Sequence, residues 1–480
     1  MVILFTILFA ILMSFAFAPL SLWFAAPLAV GLLIYSLQRV HLKQRLALVY
    51  LFAFISNAII LHWTSTYVGA LPWLILSFLE SLFLLPIALV FPLRGWRYPA
   101  LASLWVALES LMARYPFGGF GWTRIGFTQA DAPYKSLASI GGAPALTFTT
   151  VLVGIILFAI LSKNTAKALL LTLGISVLTL TGLTVASSDH IQSPGKISIL
   201  AIQGGVPELG LDFNSRAKQV FQNHLSETYR TLASTKEHPD LLLWPENSID
   251  VDPFTNQDVK SALDELANRS NTPIIFGAVR TVPTGYANVS VLWNPTTGPA
   301  TIYTKIHLTP FGEYIPMRSI ANKISPLAND VVDFISGTQT ISHHVGLASI
   351  GPVICYELLD DSLLRKVAQN SNIFAVQTNS ATFGKSAQSK QELAISRIRA
   401  IEHHRNIISI STSGVSAFID INGAITQETK LDSAASIQKS VELSNGSTFS
   451  DKMGWRGEWI LIFIPTLAWF IVSRVRLKRS

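Results

Sequence analysis

The sequence predicts an α-helical membrane arm of about eight transmembrane helices, together with one α/β domain outside the bilayer. Half of the 480 residues are hydrophobic and only 14% are charged, which is too apolar for a water-soluble protein of this length. The apolar residues are concentrated in residues 1–186 and again from Trp459 to Val472. The stretch between them has ordinary polar content and alternating strand-like segments.

Seven apolar segments of transmembrane length precede the α/β domain, and one follows it. A helix needs about 20 apolar residues to cross the hydrocarbon core of a bilayer. On that measure the predicted spans are residues 2–17, 21–37, 46–63, 69–92, 98–113, 138–161 and 168–186 in the arm, and 458–473 near the C-terminus.

Positively charged residues fall in every second connection between these spans. Because cytoplasmic loops are enriched in Lys and Arg, we expect a multi-pass protein of the cytoplasmic (inner) membrane with both termini cytoplasmic and the α/β domain extracytoplasmic. Only the fifth connection, at residues 114–137, departs from this pattern. The cations also account for the net charge of +7, so no nucleic-acid partner is expected. They are Arg39, Lys43, Arg45, Arg94, Arg97, Lys163, Lys167 and the four in the tail 474–480.

Residues 196–443 are predicted to form the α/β domain, after a Ser-, Pro- and Gly-containing linker at 187–195. Strands alternate with helices, and several strands are apolar throughout, which indicates buried sheets covered by helices. The predicted strands are 196–203, 240–245, 272–280, 286–293, 300–308, 346–355, 373–378 and 407–420. The predicted helices are 214–234, 256–269, 361–368 and 386–404.

Three strands of this domain each end in one ionisable residue. Cys355, the only cysteine in the chain, ends the apolar run 350–355. Glu246 follows the strand at 240–245, and Lys305 follows an apolar segment that begins at residue 301. A thiol, a carboxylate and an ammonium are the groups needed to make and break a thioester. The alternative for Cys355 is a buried cysteine that acts only as a small hydrophobe.

The residues around Glu246 and Lys305 in the sequence favour catalytic roles for these two residues over ordinary surface positions. Burial beside Trp244 and Pro245 raises a carboxyl pKa toward that of a useful general base. A lysine near the thiol lowers the thiol pKa and stabilises an oxyanion. The alternatives are a surface glutamate at a strand end and a lysine that extends along a half-buried strand toward water.

The three motifs together resemble those of the nitrilase superfamily, and the full set resembles the apolipoprotein N-acyltransferase family. They are Trp244-Pro245-Glu246, the pattern Tyr-x-Lys-x-His-Leu-x-Pro-Phe-Gly-Glu-Tyr-x-Pro at 303–316, and Ile354-Cys355-Tyr356-Glu357. The segments 17–19 and 118–122 of the arm are also similar to that family, so the resemblance covers essentially the whole chain. It implies a nitrilase-like αββα sandwich with a Glu–Lys–Cys triad.

The resemblance also implies residue roles. Cys355 would be the nucleophile, Glu246 the general base and Lys305 the oxyanion stabiliser. Supporting roles would fall to Glu313, which orients Lys305, to the backbone N–H of Tyr356 as a second oxyanion donor, and to Glu357. We expect the substrate-binding residues to be Phe120, Trp122, Trp244 and Tyr314.

The implied reaction is transfer of a fatty acyl chain from a membrane phospholipid, through a thioester on the cysteine, to the N-terminal α-amine of a diacylglyceryl apolipoprotein. The expected partners are those two substrates and the bilayer, and the chain is expected to be a monomer. No His/Cys cluster has metal-ligand spacing, so neither a metal nor a cofactor is expected.

Several alternatives remain open from the sequence. The first rival is a membrane-tethered carbon–nitrogen hydrolase (amidase), and the second is a non-catalytic transporter or assembly protein. Ser380 and Thr382 stand where the family usually has Asp and Trp. Glu80 and Glu109 lie inside predicted spans, where a charge is paired or functional. The aromatic loop at 115–122 is either an acyl entrance or an ordinary interfacial belt.

Overall fold

The computed structural model describes residues 1–66, 68–94, 97–188, 193–209, 217–235, 237–283, 285–324, 331–463 and 466–467. The chain divides into two compact units. The first comprises Met1–Ser65, Gly69–Asp189 and Thr448–Ser480, and the second comprises Thr66–Val68 and His190–Ser447.

The first unit is built from apolar helices. Three helical segments of the described chain are long and apolar enough to cross a membrane, namely Leu42–Ile60, Ala70–Val90 and Lys135–Leu161. The principal helices are α1 (Val2–Ser14), α2 (Ala25–Leu37), α3 (Leu42–Ile60), α4 (Ala70–Leu82), α5 (Arg97–Met112), α6 (Ala138–Leu161) and α7 (Thr165–Ser188), with the short α13 (Phe449–Met453) after the second unit.

The predicted count of eight spans is not confirmed. Helices α1 and α2 have 13 residues each, fewer than the roughly 20 that a perpendicular crossing needs. Helix α5 has 16 residues. Half of the predicted span 458–473 and the whole basic tail 474–480 lie outside the described residues.

Two buried carboxylates of the first unit have different surroundings. Glu109 accepts hydrogen bonds from Trp105 Nε1 (3.2 Å), Ile125 N (2.9 Å) and Thr147 Oγ1 (2.6 Å). Glu80 is equally buried, but its Oε2 has no hydrogen-bond partner among the described residues. Glu109 therefore ties the loop after α5 to α5 and α6. Arg114, in the same loop, binds Glu458 (Nη2–Oε2, 2.6 Å).

The second unit consists of two six-stranded sheets with helices on their faces. The first sheet has the order β12-β1-β2-β3-β4-β5, and the second has the order β11-β10-β9-β8-β7-β6. The strands are β1 (Lys196–Gln203), β2 (Leu241–Leu243), β3 (Ile274–Val282), β4 (Gly285–Asn294), β5 (Gly298–Thr304), β6 (His343–Val345), β7 (Ala348–Ile354), β8 (Ile373–Thr378), β9 (Ile407–Ser411), β10 (Ala417–Ile419), β11 (Ile425–Glu428) and β12 (Ala435–Glu442). The helices are α8 (Gln219–Leu232), α9 (Gln257–Ser270), α10 (Arg318–Ile324), α11 (Asp361–Gln369) and α12 (Gln388–His403).

Alternation along the strands divides the hydrophobic residues between two cores. Leu241 and Leu243 of β2 face the second sheet, where they pack with Ile350 and Ile408. Leu242 points the opposite way, into a core shared with α8 and α9. Since successive strand side chains point to opposite faces, a strand that is apolar throughout is what a sheet covered on both sides requires. The unit is an αββα sandwich, as the sequence predicts.

The prediction failed for short or polar strands. The predicted strand 407–420 is two antiparallel strands, β9 and β10, because residues 412–416 turn the chain between them. Strands β6, β11 and β12 and helix α10 were not predicted. Strand β11 is fully exposed, and β12 is mostly half-buried at the sheet edge beside β1, so neither carries a strong apolar signal.

One glycine of β3 determines how closely the strand approaches the segment after β2. A Cβ at Gly277 would lie 2.6 Å from Glu246 Cα and 2.7 Å from Pro245 O. We expect Gly277→Ala to destabilise the protein by about 1–3 kcal/mol, because the backbone around Glu246 must move. Thermal unfolding of the full-length protein in detergent should show a midpoint lowered by several degrees.

Gly312→Ala is the matched control for this substitution. A Cβ at Gly312 would meet only Thr309, at an ordinary 3.5 Å, so the unfolding midpoint should stay close to that of the parent protein. A Gly277→Ala variant as stable as the Gly312→Ala variant would contradict the close approach.

Candidate active site

The fold brings the three predicted ionisable residues to one place. Glu246 lies just after β2, while Lys305 and Cys355 immediately follow β5 and β7. Lys305 Nζ is 3.4 Å from Glu246 Oε1, and both side chains are buried. Charges on Lys305 and Glu246 also act on the Cys355 thiol. Three residues separated by 59 and 50 positions in the chain therefore come together in one cluster, in which Glu246 and Lys305 are buried and Cys355 is half-buried.

Lys305 is held by two carboxylates and a hydroxyl. Its Nζ lies 2.8 Å from Glu313 Oε2 and 3.3 Å from Thr309 Oγ1, in addition to the contact with Glu246. Burial by itself lowers the pKa of Lys305, but the charges of Glu313 and Glu246 outweigh it and hold that pKa above its ordinary value. Lys305 is therefore a permanent positive charge, and the predicted contact between Glu313 and Lys305 is present.

The two carboxylates differ because their distances to this ammonium differ. Burial raises the pKa of Glu246, and the more distant charge of Lys305 only partly offsets it. Burial also acts to raise the pKa of Glu313, but there the close charge of Lys305 prevails and the pKa is lowered. Glu246 is thus the stronger base of the pair, and Glu313 is the fixed counter-ion of the lysine.

Asn288 of β4 is a site residue that the sequence analysis missed. Its Nδ2 donates to Glu246 Oε1 (2.7 Å) and to Glu313 Oε1 (2.7 Å). The backbone carbonyl of Asn288 accepts a hydrogen bond from the backbone N–H of Lys305 (2.9 Å). One amide therefore keeps two carboxylates apart at a fixed distance. A buried polar residue within the largely apolar strand β4 was the only available signal.

The backbone at Cys355 has a left-handed conformation. Its φ is 49°, a region that non-glycine residues occupy rarely and often at functional sites. The strand β7 ends there, and a short 3₁₀ helix, Cys355–Leu359, begins. Burial, together with the carboxylates of Glu246 and Glu392, raises the pKa of the thiol well above its ordinary value, and Lys305 opposes them. The resting thiol is therefore neutral and requires a base.

Glu357 connects the cysteine segment to the lysine segment. Its Oε2 accepts from the N–H of Ile354 (2.7 Å), and its Oε1 accepts from the N–H of Ile306 (2.7 Å) and the hydroxyl of Tyr303 (2.7 Å). The side chain is completely buried. Because β5 and β7 belong to different sheets, Glu357 holds the segments of Cys355 and Lys305 in one frame, and its supporting role in catalysis stays a prediction.

Tyr356 and His307 pack against each other beside this frame. Their rings meet edge to face at 5.3 Å, and His307 Nδ1 lies 3.2 Å from Asp360 Oδ2. The ring of His307 is thus packed between Tyr356 and Asp360. The role of the Tyr356 backbone N–H as an oxyanion donor stays a prediction.

Glu392 of α12 is a second residue that the sequence analysis missed. Its carboxyl is buried and interacts with the Cys355 thiol. Burial, and then the negative charge of Glu246, raises the pKa of Glu392 to about 8. In the sequence it lies on a helix with charged residues on several faces, so nothing distinguished it from a solvent-exposed glutamate.

The four predicted substrate-binding residues lie in different environments. Trp244 is entirely buried against Phe221, and its Nε1 donates to Thr228, which favours a core role over the predicted contact with substrate. Tyr314 is half-buried next to Glu313. The other two belong to the first unit: Phe120 stacks on Trp122, and Trp122 in turn contacts Trp63. Substrate contact by any of the four stays a prediction.

No group of three or more His, Cys, Asp or Glu side chains suited to a metal ion is found in the part of the chain that the structure describes. The chemistry that the cluster itself can perform is acyl transfer. It provides a nucleophile, a base of raised pKa and a fixed positive charge for a developing oxyanion.

The reactivity of the sole cysteine tests this electrostatic arrangement. Because the pKa of Cys355 is raised, alkylation by iodoacetamide should keep accelerating beyond about pH 9, where a free cysteine of pKa about 8.5 is mostly ionised. Lys305→Met removes the charge that lowers this pKa, so at a given pH alkylation should slow at least about tenfold. Mass spectrometry of the intact protein over time gives both rates.

Lys366→Met, at an exposed position on α11, is the control and should alkylate at the parent rate. Circular dichroism should first establish that both variants are folded. A rate that levels off near neutral pH, or an unchanged rate in Lys305→Met, would contradict the arrangement.

Two family models match the chain, one in each half. Residues 9–156 match the apolipoprotein N-acyltransferase N-terminal domain, and residues 211–445 match the carbon–nitrogen hydrolase family. The first covers most of the apolar helices, and the second covers the part of the αββα sandwich that follows β1, including the Glu246, Lys305 and Cys355 cluster.

Curated relatives match over nearly the full length. The apolipoprotein N-acyltransferase of Mycolicibacterium smegmatis is 32% identical over 476 residues, which covers 92% of this chain and 80% of the relative. Those of Geobacter metallireducens and Photobacterium profundum are 28% and 26% identical, and they cover 84% and 96% of this chain. This similarity extends through both units, so the chain belongs to the apolipoprotein N-acyltransferase family.

Proposed function

We propose that this enzyme transfers a fatty acyl chain from a membrane phospholipid to the α-amine of the N-terminal S-diacylglyceryl-cysteine of apolipoproteins, through a thioester on Cys355. The observation that carries the proposal is the cluster of the half-buried Cys355 with the buried Glu246 and Lys305 in a member of this family. The first half-reaction forms the thioester, and the second consumes it.

In the first half-reaction Glu246 is the base. Since burial raises the pKa of Glu246, its carboxylate accepts a proton more readily than an exposed glutamate does. The thiolate of Cys355 attacks an ester carbonyl of the phospholipid, and Lys305 and the N–H of Tyr356 stabilise the oxyanion. The C–O bond breaks, the proton on Glu246 passes to the leaving oxygen, and a lysophospholipid departs.

In the second half-reaction the amine of the apolipoprotein attacks the thioester carbonyl. A C–N bond forms, the C–S bond breaks, and the sulfur of Cys355 regains a proton. An amine is a better nucleophile than water toward a thioester, so the site must exclude water while the intermediate persists. Burial of Glu246, Lys305 and Glu313 supports this requirement.

The principal alternative is an amidase that uses the same three residues with water as the acceptor. The two functions differ in what accumulates on the cysteine. An acyltransferase incubated with phospholipid but no acceptor should retain a fatty-acyl thioester, whereas an amidase should not form one from lipid.

Cys355→Ala should abolish both thioester formation and transfer to a diacylated lipopeptide, because no other side chain can form the intermediate. Glu246→Gln should slow thioester formation by about 10²–10⁴-fold, the usual contribution of a general base. Mass spectrometry of the purified protein after incubation with phospholipid measures both effects.

Glu265→Gln, an exposed position on α9, controls for the loss of one carboxylate and should retain full activity. Transfer that survives in Cys355→Ala would refute the covalent route. It would leave the non-catalytic transporter or assembly role as the remaining explanation.

For the membrane arrangement we propose eight spans, both termini in the cytoplasm and the α/β domain on the outer side. The support is the alternation of basic connections and the apolar helices of the first unit. Outer placement would give the site access to phospholipid and to membrane-anchored lipoproteins in one leaflet.

Cysteine labelling in a Cys355→Ala background tests this topology. Ser261→Cys on α9 should react with a membrane-impermeant maleimide in intact spheroplasts. Lys43→Cys should react only after permeabilisation, because its loop is proposed to be cytoplasmic. Both positions are exposed in their own units. The opposite labelling pattern would invert the topology.

A further inference from the structure

Helix α12 carries two buried polar side chains, each with one oxygen that accepts no hydrogen bond from the described residues. Gln388 and Glu392 lie one helical turn apart and are 1% and 3% exposed. Gln388 Nε2 donates to Glu392 Oε2 (3.3 Å). The other oxygens of the pair, Gln388 Oε1 and Glu392 Oε1, have no donor among the described residues. Buried acceptors without donors are rare and costly in folded proteins.

The pair lies at the reacting sulfur rather than elsewhere in the core. The Glu392 carboxyl and the Cys355 thiol interact directly, and each alters the pKa of the other. Glu246 and Lys305 are the other charged groups that act on Glu392. The two vacant acceptors therefore lie on the α12 side of the thiol, while Glu246 and Lys305 come from the other sheet.

The missing partner must donate several hydrogen bonds and must come close to the sulfur. An α-ammonium group has three N–H donors and one positive charge, which matches two acceptor oxygens and one ionisable carboxyl. A phospholipid ester carries no N–H donor at its carbonyl, so the acyl donor does not satisfy this pair. The second substrate, the apolipoprotein, carries the α-ammonium group whose N–H donors satisfy the pair.

We propose that Gln388 and Glu392 form the subsite for the acceptor amine, with Glu392 removing the proton that makes the amine nucleophilic. The inference rests on the proposed function and assigns its second half-reaction to a base distinct from Glu246. Each base then serves one nucleophile, Glu246 the thiol and Glu392 the amine.

Proton transfer between these two groups is nearly balanced. The pKa of Glu392 is about 8, and an α-amino group has an ordinary pKa of about 8. The ammonium gives one proton to Glu392 and becomes a free amine. The amine nitrogen attacks the thioester carbon, the C–S bond breaks, and the second nitrogen proton passes to the sulfur of Cys355. Glu392 then releases its proton to solvent.

The same pKa explains why substitution should separate the two half-reactions. At about pH 7 a carboxyl with a pKa of about 8 is mostly protonated, and glutamine resembles that neutral form. Glu392→Gln should therefore form the acyl-enzyme from phospholipid no more slowly than the parent enzyme, because the substitution also removes a carboxylate that raises the pKa of Cys355. Transfer to a diacylated lipopeptide should slow about 10²-fold, because the amide cannot accept the proton.

The decisive experiment isolates the acyl-enzyme and adds one of two nucleophiles. The full-length protein is acylated with phospholipid and freed of excess lipid, and loss of the thioester is followed by mass spectrometry. Glu392→Gln should react slowly with the lipopeptide but normally with hydroxylamine, which is already neutral and needs no base. Glu392→Asp should restore part of the transfer rate, and Gln388→Leu should raise the KM for the lipopeptide.

Glu428→Gln, the same chemical change at an exposed position on β11, should behave as the parent enzyme in every step. Equal slowing of acylation, hydroxylamine cleavage and lipopeptide transfer in Glu392→Gln would show a merely structural residue and overturn the proposal. An unchanged lipopeptide rate would overturn it as well. If the parent enzyme forms no thioester from phospholipid, the proposed function itself fails, and the two failures are distinguishable.

Discussion

One buried ammonium group organises the active site. Lys305 has almost no exposed surface, and without Glu313 and Glu246 beside it the charge would be prohibitively expensive to bury. The distances assign different tasks to the two carboxylates: Glu313 neutralises the lysine, and Glu246 remains basic. The side-chain amide of Asn288 donates a hydrogen bond to each carboxylate and so holds both in place.

In the αββα sandwich, the ends of separate strands meet at the Lys305 ammonium group. Glu246 and Lys305 come from the first sheet and Cys355 from the second. Chain connectivity therefore does not fix their geometry, and the apolar contact between the sheets must do so. A strand such as β2, with Leu241 and Leu243 facing one core and Leu242 the other, can lie only in the middle of such a sandwich.

The sequence predicted the site residues that stand at the end of an apolar segment. It did not predict the site residues that reach the site only through the folding of the chain. Cys355, Glu246 and Lys305 each end an apolar segment, which is visible in one dimension. Asn288 and Glu392 lie in the middle of a strand and a helix, and only the fold shows that they touch the site. Strand β12 was missed because its edge position leaves it half-polar. Trp244, expected at the substrate because of its motif, is buried against Phe221, and its contact with substrate stays a prediction.

The buried carboxylate of Glu357 has a consequence for how such enzymes diversify. Its side chain accepts hydrogen bonds from the N–H of Ile354 at the end of β7 and from the N–H of Ile306 after β5. The positions of Cys355 and Lys305 therefore depend on these main-chain hydrogen bonds and not on the loops around the site. Substitutions in those loops can then leave the reacting atoms in place. Selectivity for chain length or peptide can drift over evolutionary time without any need to rebuild the catalytic machinery.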